Sequence, residues 1–312
     1  MHRIAAFVDT ALDRTVVPGY TRIGPAVRRR LSTWPADPEP GALVGKVALV
    51  TGASSGLGIA TAEAFAALGA EVVMVVRDTA KGERVRQEIV ARHPLARLDV
   101  RRCDVSDLDD VRRFVAELDL VHVDVVVHNA GVMPPSRTES AQGHEMTMAL
   151  HVLGPVLMTD LLAPRLSGGR VVLVTSGGMY SQRLRDDDPE YLVGDYSPTT
   201  AYARSKRAQV ELLPILEDRW DGVEVYATHP GWAGTPGVTE SLPTFNKVLG
   251  PLLRDAESGV DTTVWLAATE PRRPGGELWH DRAPRPTHLL RKTRTGDAER
   301  DRMWAWVTAA VG

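Results

Sequence analysis

Thr51-Gly52-Ala53-Ser54-Ser55-Gly56-Leu57-Gly58 follows directly on the apolar run Val47-Ala48-Leu49-Val50 and leads into a stretch of small and apolar residues. Three glycines at a strand-to-helix turn let the backbone approach a pyrophosphate closely. The helix start supplies unpaired N–H groups and the positive end of its dipole. The spacing is G-x-x-x-G-x-G rather than G-x-G-x-x-G, so the turn by itself also suits an ordinary tight loop. Its position on the first strand of a repeating strand–helix pattern predicts a dinucleotide loop, with Gly52, Ser54, Ser55, Gly56, Leu57 and Gly58 as its contacts.

The pattern repeats downstream. EVVMVV (71–76), LDVRRCD (98–104), VDVVVHNAG (123–131), RVVLVTS (170–176) and VEVYATHPG (223–231) read as further strands, with a seventh around 274–280. Helical spacing fills 57–68, 79–92, 107–118, 139–163 and 199–219, and residues 296–312 read as a closing helix. Near-continuous Val/Leu strands separated by helices predict an α/β fold, a doubly wound parallel sheet covered on both faces. One domain is expected over 45–290, preceded by an extension at 1–44 and followed by a tail at 291–312.

The second strand ends Val76-Arg77-Asp78, where a dinucleotide would place its adenine ribose. A carboxylate there holds the 2′-hydroxyl of NAD, and an arginine accommodates the 2′-phosphate of NADP. Arg77 comes first and favours NADP; Asp78 keeps NAD open.

The chain has 312 residues, 43% hydrophobic and 25% charged, with a formal charge of -3 and a single cysteine. This composition suits a large core and excludes a disulfide scaffold, and it carries no electrostatic footprint for nucleic acid. No sequence run reads as a membrane span or a secretory signal, so a soluble, cytoplasmic chain is expected. In the extension, Ile4, Phe7, Val8, Ala11 and Leu12 share a helical face, and Arg28, Arg29 and Arg30 precede a linker with Pro35, Pro38 and Pro40. Two readings stand: the apolar face packs on the body or a second subunit, or it touches a membrane surface with the arginines toward anionic lipid.

Three more motifs follow in order: Asn129-Ala130-Gly131 after the fourth strand, Ser176 at the end of the fifth, and Tyr202-Ala-Arg-Ser-Lys206. With the glycine turn they resemble the short-chain dehydrogenase/reductase family over residues 46 to about 290. SGGM (176–179), HPGWAGTPGV (229–238) and GELWHDRAPRPTHL (276–289) resemble its member-12-like subgroup, which also has an amino-terminal extension. The resemblance implies a Rossmann fold and NADP(H)-dependent interconversion of a carbonyl and an alcohol. It implies Tyr202 as general acid/base, Lys206 lowering the tyrosine's pKa and gripping the nicotinamide ribose, and Ser176 binding the substrate oxygen. A free tyrosine titrates near about 10, so a neighbouring cation is the expected means of tuning it.

The same resemblance assigns Asp104 and Val105 to the adenine, Asn129, Ala130 and Gly131 to the adenosine side, and Pro230, Gly231 and Thr235 to the nicotinamide. It implies that the helices near 139–163 and 199–219 pair between subunits, giving a homodimer. One position departs: where the family has an asparagine in a proton relay, this chain has His151, read either as a substitute relay or as interior filling. Trp232, Leu242, Phe245, Leu249 and Leu252 would roof a pocket for a lipophilic small molecule. No His, Cys or carboxylate spacing suggests a metal. The competing function is a cofactor-binding sensor or scaffold of the same fold with little turnover.

Overall fold

The computed structural model describes residues 2–234, 247 and 249–312. Its centre is an eight-stranded sheet: β1 (Val47–Thr51), β2 (Glu71–Val76), β3 (Arg97–Arg102), β4 (Val125–His128), β5 (Arg170–Val174), β6 (Glu224–Thr228), β7 (Glu277–His280) and β8 (Ala283–Arg285). The order is β3-β2-β1-β4-β5-β6-β7-β8, parallel throughout except for antiparallel β8. The chain turns from one half of the sheet to the other between β1 and β4, so their carboxyl ends frame the crevice where such sheets bind ligands.

Short helices α1 (His2–Arg14), α2 (Val17–Tyr20) and α3 (Ile23–Arg28) precede the sheet. The covering helices are α4 (Gly56–Ala67), α5 (Thr79–Arg92), α6 (Leu108–Glu117), α7 (Met146–Met148), α8 (Gly154–Leu162), α9 (Pro198–Glu211), α10 (Leu213–Arg219), α11 (Ala256–Ala268) and α12 (Asp297–Val311). Alternate strand residues divide the core. Leu49, Val73, Val126, Val171 and Val225 pack toward α6, α8, α9, α10 and α12; Val50, Met74, Val127, Val172 and Tyr226 pack toward α4, α5 and α11. Each fully buried Val or Leu contributes about 1.5–3 kcal/mol of transfer free energy.

Four sequence expectations change. The helix expected from 139 begins only at Met146, because Gly143 turns at positive φ and the Glu145 carboxylate accepts from the Met148 N–H. It then runs through a π-helical stretch, Ala149–Leu153, immediately before Pro155, whose missing N–H disturbs the regular ladder. The run Met146–Arg165 is apolar enough to cross a membrane by length and composition, but 72% of it lies inside the protein. The acidic loop 186–188 is largely turned inward: Asp186 pairs with Arg302, and Asp188 accepts the N–H groups of Leu192 and Val193.

The third concerns α8, one of the helices that the resemblance expects to pair between subunits. Here α12 of the same chain lies against it, with Met303, Val307 and Val311 joining the core around Val152, Val156 and Leu157. The fourth concerns α1: of its two readings, the apolar face packed on the body is overturned and the membrane-facing one is left. Ile4 and Phe7 are 70% and 74% exposed, while the opposite face carrying Ala5 and Asp13 turns inward. Electrostatics explains the inversion. Asp9 receives two hydrogen bonds from Arg285 (2.8 and 2.9 Å) and one from Arg28 (2.7 Å), and Arg28 is buried rather than part of a surface cluster.

Candidate active site

The glycine turn joins β1 to α4. Ser55 precedes the helix without capping it through its side chain, so the first N–H groups of α4 keep no side-chain acceptor. A Cβ on Gly58 would lie 2.2 Å from the Gly52 carbonyl oxygen and 2.7 Å from Asn129 Nδ2, so only glycine allows this approach. Asn129 Nδ2 donates to the Thr51 carbonyl, and Thr51 Oγ1 accepts the N–H groups of Asn129 and Ala130, all at 3.0 Å. Asn129 and Ala130 thus brace the β1–β4 seam beside the turn. The close-packed glycines and open helix end fit a pyrophosphate, with Gly52, Ser54, Ser55, Gly56, Leu57 and Gly58 around it.

At the end of β2, Asp78 Oδ1 accepts the Lys81 N–H at 2.9 Å and caps α5, while Arg77 is exposed. Asp104 follows β3 and is half-buried. Its Oδ1 accepts from Ser106 N (3.0 Å) and Ser106 Oγ (2.6 Å), and Val105 is buried beside it.

The reactive side chains meet at the carboxyl end of β5. Thr175 Oγ1 donates to the Lys206 carbonyl at 3.0 Å, locking the strand end to α9 and bringing Ser176 beside Tyr202. Burial pushes the Tyr202 phenol up to about 12, and the neighbouring Ser176 hydroxyl opposes the rise. Lys206 is buried, and burial lowers its pKa to about 7. Its Nζ donates to the Val174 carbonyl at 2.8 Å and lies 5.6 Å from the centroid of the Tyr202 ring. The resemblance implies that the lysine lowers the tyrosine's pKa; in this geometry burial is the dominant influence on the phenol and the net shift is upward.

His151 sits in the π-helical stretch, fully buried. Its Nε2 accepts the Val132 N–H at 3.1 Å, its Nδ1 donates to Ser205 Oγ at 2.7 Å, and Ser205 Oγ donates to the Tyr202 carbonyl at 2.8 Å. Burial, with Lys206 nearby, holds its pKa well below the usual imidazole value, so it is neutral. Both ring nitrogens are engaged, and the imidazole ties the loop after β4 to α9. A Cβ on Gly131 would meet His151 Nε2 at 3.3 Å. We expect His151→Asn, which is too short to span both partners, to lower kcat without moving the apparent pKa of the pH–rate profile. A shifted profile would instead mark His151 as a proton carrier.

The far wall is built by residues that the sequence reading passed over. His229 Nδ1 accepts the N–H groups of both Gly177 (3.1 Å) and Gly231 (3.2 Å), pinning the Ser176 loop to the loop after β6. Gly231 has φ +76, and a Cβ there would strike Arg254 Nε at 2.3 Å. Arg254 makes a two-point contact with Asp281 (2.6 and 3.0 Å), which also accepts from Arg28 Nη1 at 2.6 Å. Burial alone would raise the Asp281 pKa; His280, Arg254 and Arg28 outweigh it and hold the carboxyl far below its usual value. Tyr20 packs edge-on against His229 and Trp232, and its carbonyl accepts the Trp232 N–H at 2.7 Å. The extension is therefore part of the site wall. No spacing motif announces these partners, which come together only through the fold. Thr235, Leu242 and Phe245 lie outside the described residues.

A family model described as short chain dehydrogenase matches residues 46–185. Dehydrogenase/reductase SDR family member 12 of Bos taurus is 36% identical over 270 residues, covering 83% of this chain and 84% of the relative. The chain belongs to the short-chain dehydrogenase/reductase family. Retinol dehydrogenase 12 of Bos taurus is 35% identical, covering 77% of this chain and 78% of that protein. A crystal structure of an uncharacterized protein from Mycobacterium paratuberculosis superimposes with a TM-score of 0.70 at 29% identity, covering 86% of this chain and 94% of that one. As a short-chain dehydrogenase/reductase the protein is an oxidoreductase of the CH–OH/carbonyl class, in a family that binds NAD(P).

Proposed function

We propose that the protein uses NADP(H) to interconvert a carbonyl and an alcohol on a lipophilic small molecule, with Tyr202 as the general acid/base. The meeting of Ser176, Tyr202 and Lys206 at the carboxyl end of β5, locked by the Thr175–Lys206 and Lys206–Val174 hydrogen bonds, carries this reading. When bound, the reduced nicotinamide supplies a hydride to the carbonyl carbon. Ser176 Oγ and the Tyr202 hydroxyl hold the carbonyl oxygen, and the phenolic proton passes to that oxygen as its negative charge develops. Lys206, buried behind the tyrosine, stabilises the phenolate left behind and supplies an ammonium to the ribose. His151 positions α9 through Ser205. Pro230 and Gly231 would face the nicotinamide, with Thr235 as a further contact.

Lipophilic substrates are supported by the apolar ring of Trp232, packed on Tyr20 in the site wall, and by the retinol-named relative. NADPH consumption over a panel of lipophilic aldehydes and ketones tests the reaction; no turnover on any of them would favour the sensor or scaffold reading. The cofactor choice rests on Asp78 being committed to the α5 cap while Arg77 faces solvent. NADPH should bind at least about tenfold more tightly than NADH, a difference of about 1.4 kcal/mol. Arg77→Ala should erase most of that gap in fluorescence titrations, and equal affinities in the unaltered protein would sink the preference.

A further inference from the structure

The outward surface of the extension has an unusual composition. The exposed side chains between residues 3 and 30 include Ile4 and Phe7, at 70% and 74%, Ala11 and, less so, Val17 and Ile23. Every exposed charge in that span is an arginine: Arg3, Arg14, Arg22, Arg29 and Arg30, of which Arg29 pairs with Asp261. The two carboxylates, Asp9 and Asp13, lie on the inward face of α1, where Asp9 is neutralised by Arg28 and Arg285. On α1 itself, Arg3, Ile4, Phe7, Ala11 and Arg14 recur at three- and four-residue steps and share one outward stripe. A chain of net charge -3 thus presents, along α1, a stripe that combines large apolar side chains with positive charge alone.

We infer that this surface docks on an anionic lipid membrane, with Ile4 and Phe7 entering the headgroup boundary and the arginines meeting lipid phosphates. An amphipathic helix lies in the interface plane by this combination of buried apolar area and electrostatic attraction. A symmetric second copy fits poorly: a two-fold interface would set the same arginines against one another without an exposed carboxylate on the patch to pair them. The inference does not depend on the reaction proposed above. It does bear on it, because α2 and the turn after it hold Trp232 and Leu252 through backbone hydrogen bonds (2.7 Å to the Tyr20 carbonyl, 3.0 Å from the Arg22 N–H). The lipid-facing surface and the wall of the site are one connected piece.

The test is flotation of the full chain with vesicles of phosphatidylcholine alone and of phosphatidylcholine mixed with phosphatidylglycerol. The protein should float with the mixed vesicles, float poorly with phosphatidylcholine alone, and lose binding as salt is raised. Ile4→Glu with Phe7→Glu should reduce flotation at least about tenfold while thermal melting and NADPH binding stay unchanged, since both side chains are exposed. Arg3→Gln with Arg14→Gln should weaken binding to the anionic vesicles and leave any weak binding to phosphatidylcholine unaffected. Protein that stays in the soluble fraction with anionic vesicles overturns the proposal. So does a glutamate variant that still floats, or light scattering showing that Ile4 and Phe7 hold a dimer that does not float.

Discussion

Tyr202→Phe should reduce turnover by roughly 10²–10⁴-fold, the usual contribution of one acid/base group, while NADPH affinity stays nearly constant. The substitution removes a single oxygen. The glycine turn, the Asn129 brace and Arg77 lie on other elements, so cofactor binding has no reason to change. Ser176 Oγ keeps the Gly178 N–H at 3.3 Å, so the loop holds its place. Steady-state rates on a verified substrate and titration of the cofactor separate the two effects. Full activity in Tyr202→Phe would refute the mechanism and move the proton donor elsewhere.

Asp281→Ala should cost about 3–5 kcal/mol of stability, because it leaves buried cations without their counter-charge. Arg28 and Arg254 are 2% exposed, and both spend guanidinium nitrogens on this one carboxylate. Arg254 also donates to the carbonyls of Gly19, Tyr20 and Thr21, so its displacement would loosen the extension and the wall of the site together. Urea unfolding should show a lower midpoint, and kcat should fall with it as the Pro230-Gly231 loop loses its support. Removing the exposed Asp301 serves as the control and should change stability by no more than about 0.5 kcal/mol. Equal effects at the two positions would show that the buried network does not hold the fold together.

The sheet and its switch point were legible because they are written in short-range patterns. Runs such as Val125-Val126-Val127 and Val171-Val172-Leu173 leave little alternative to buried parallel strands, and the glycine turn lies on β1 where the crevice opens. Strand β8 was not legible: Ala283-Pro284-Arg285 is too short and too polar to read as a strand without its partner. Ser176, Tyr202 and Lys206 could be found through motif order, yet their electrostatic state could not. Whether Lys206 lowers the tyrosine depends on where its ammonium points, and the structure points it at the Val174 carbonyl. The choice between the two readings of α1 stayed open for a related reason. Periodicity shows which residues share a face; it does not show that Arg28 and Arg285 lie in wait for Asp9 on the inner side.

The Arg28–Asp281 ion pair joins residues separated by 253 positions. The extension is made well before its fastenings: Arg254 follows β6, and Asp281 and Arg285 follow β7. Until those residues are made, their ion pairs with Arg28, Asp9 and Asp13 cannot form. A chain stopped before β7 would release its amino terminus as surely as a cut after α3.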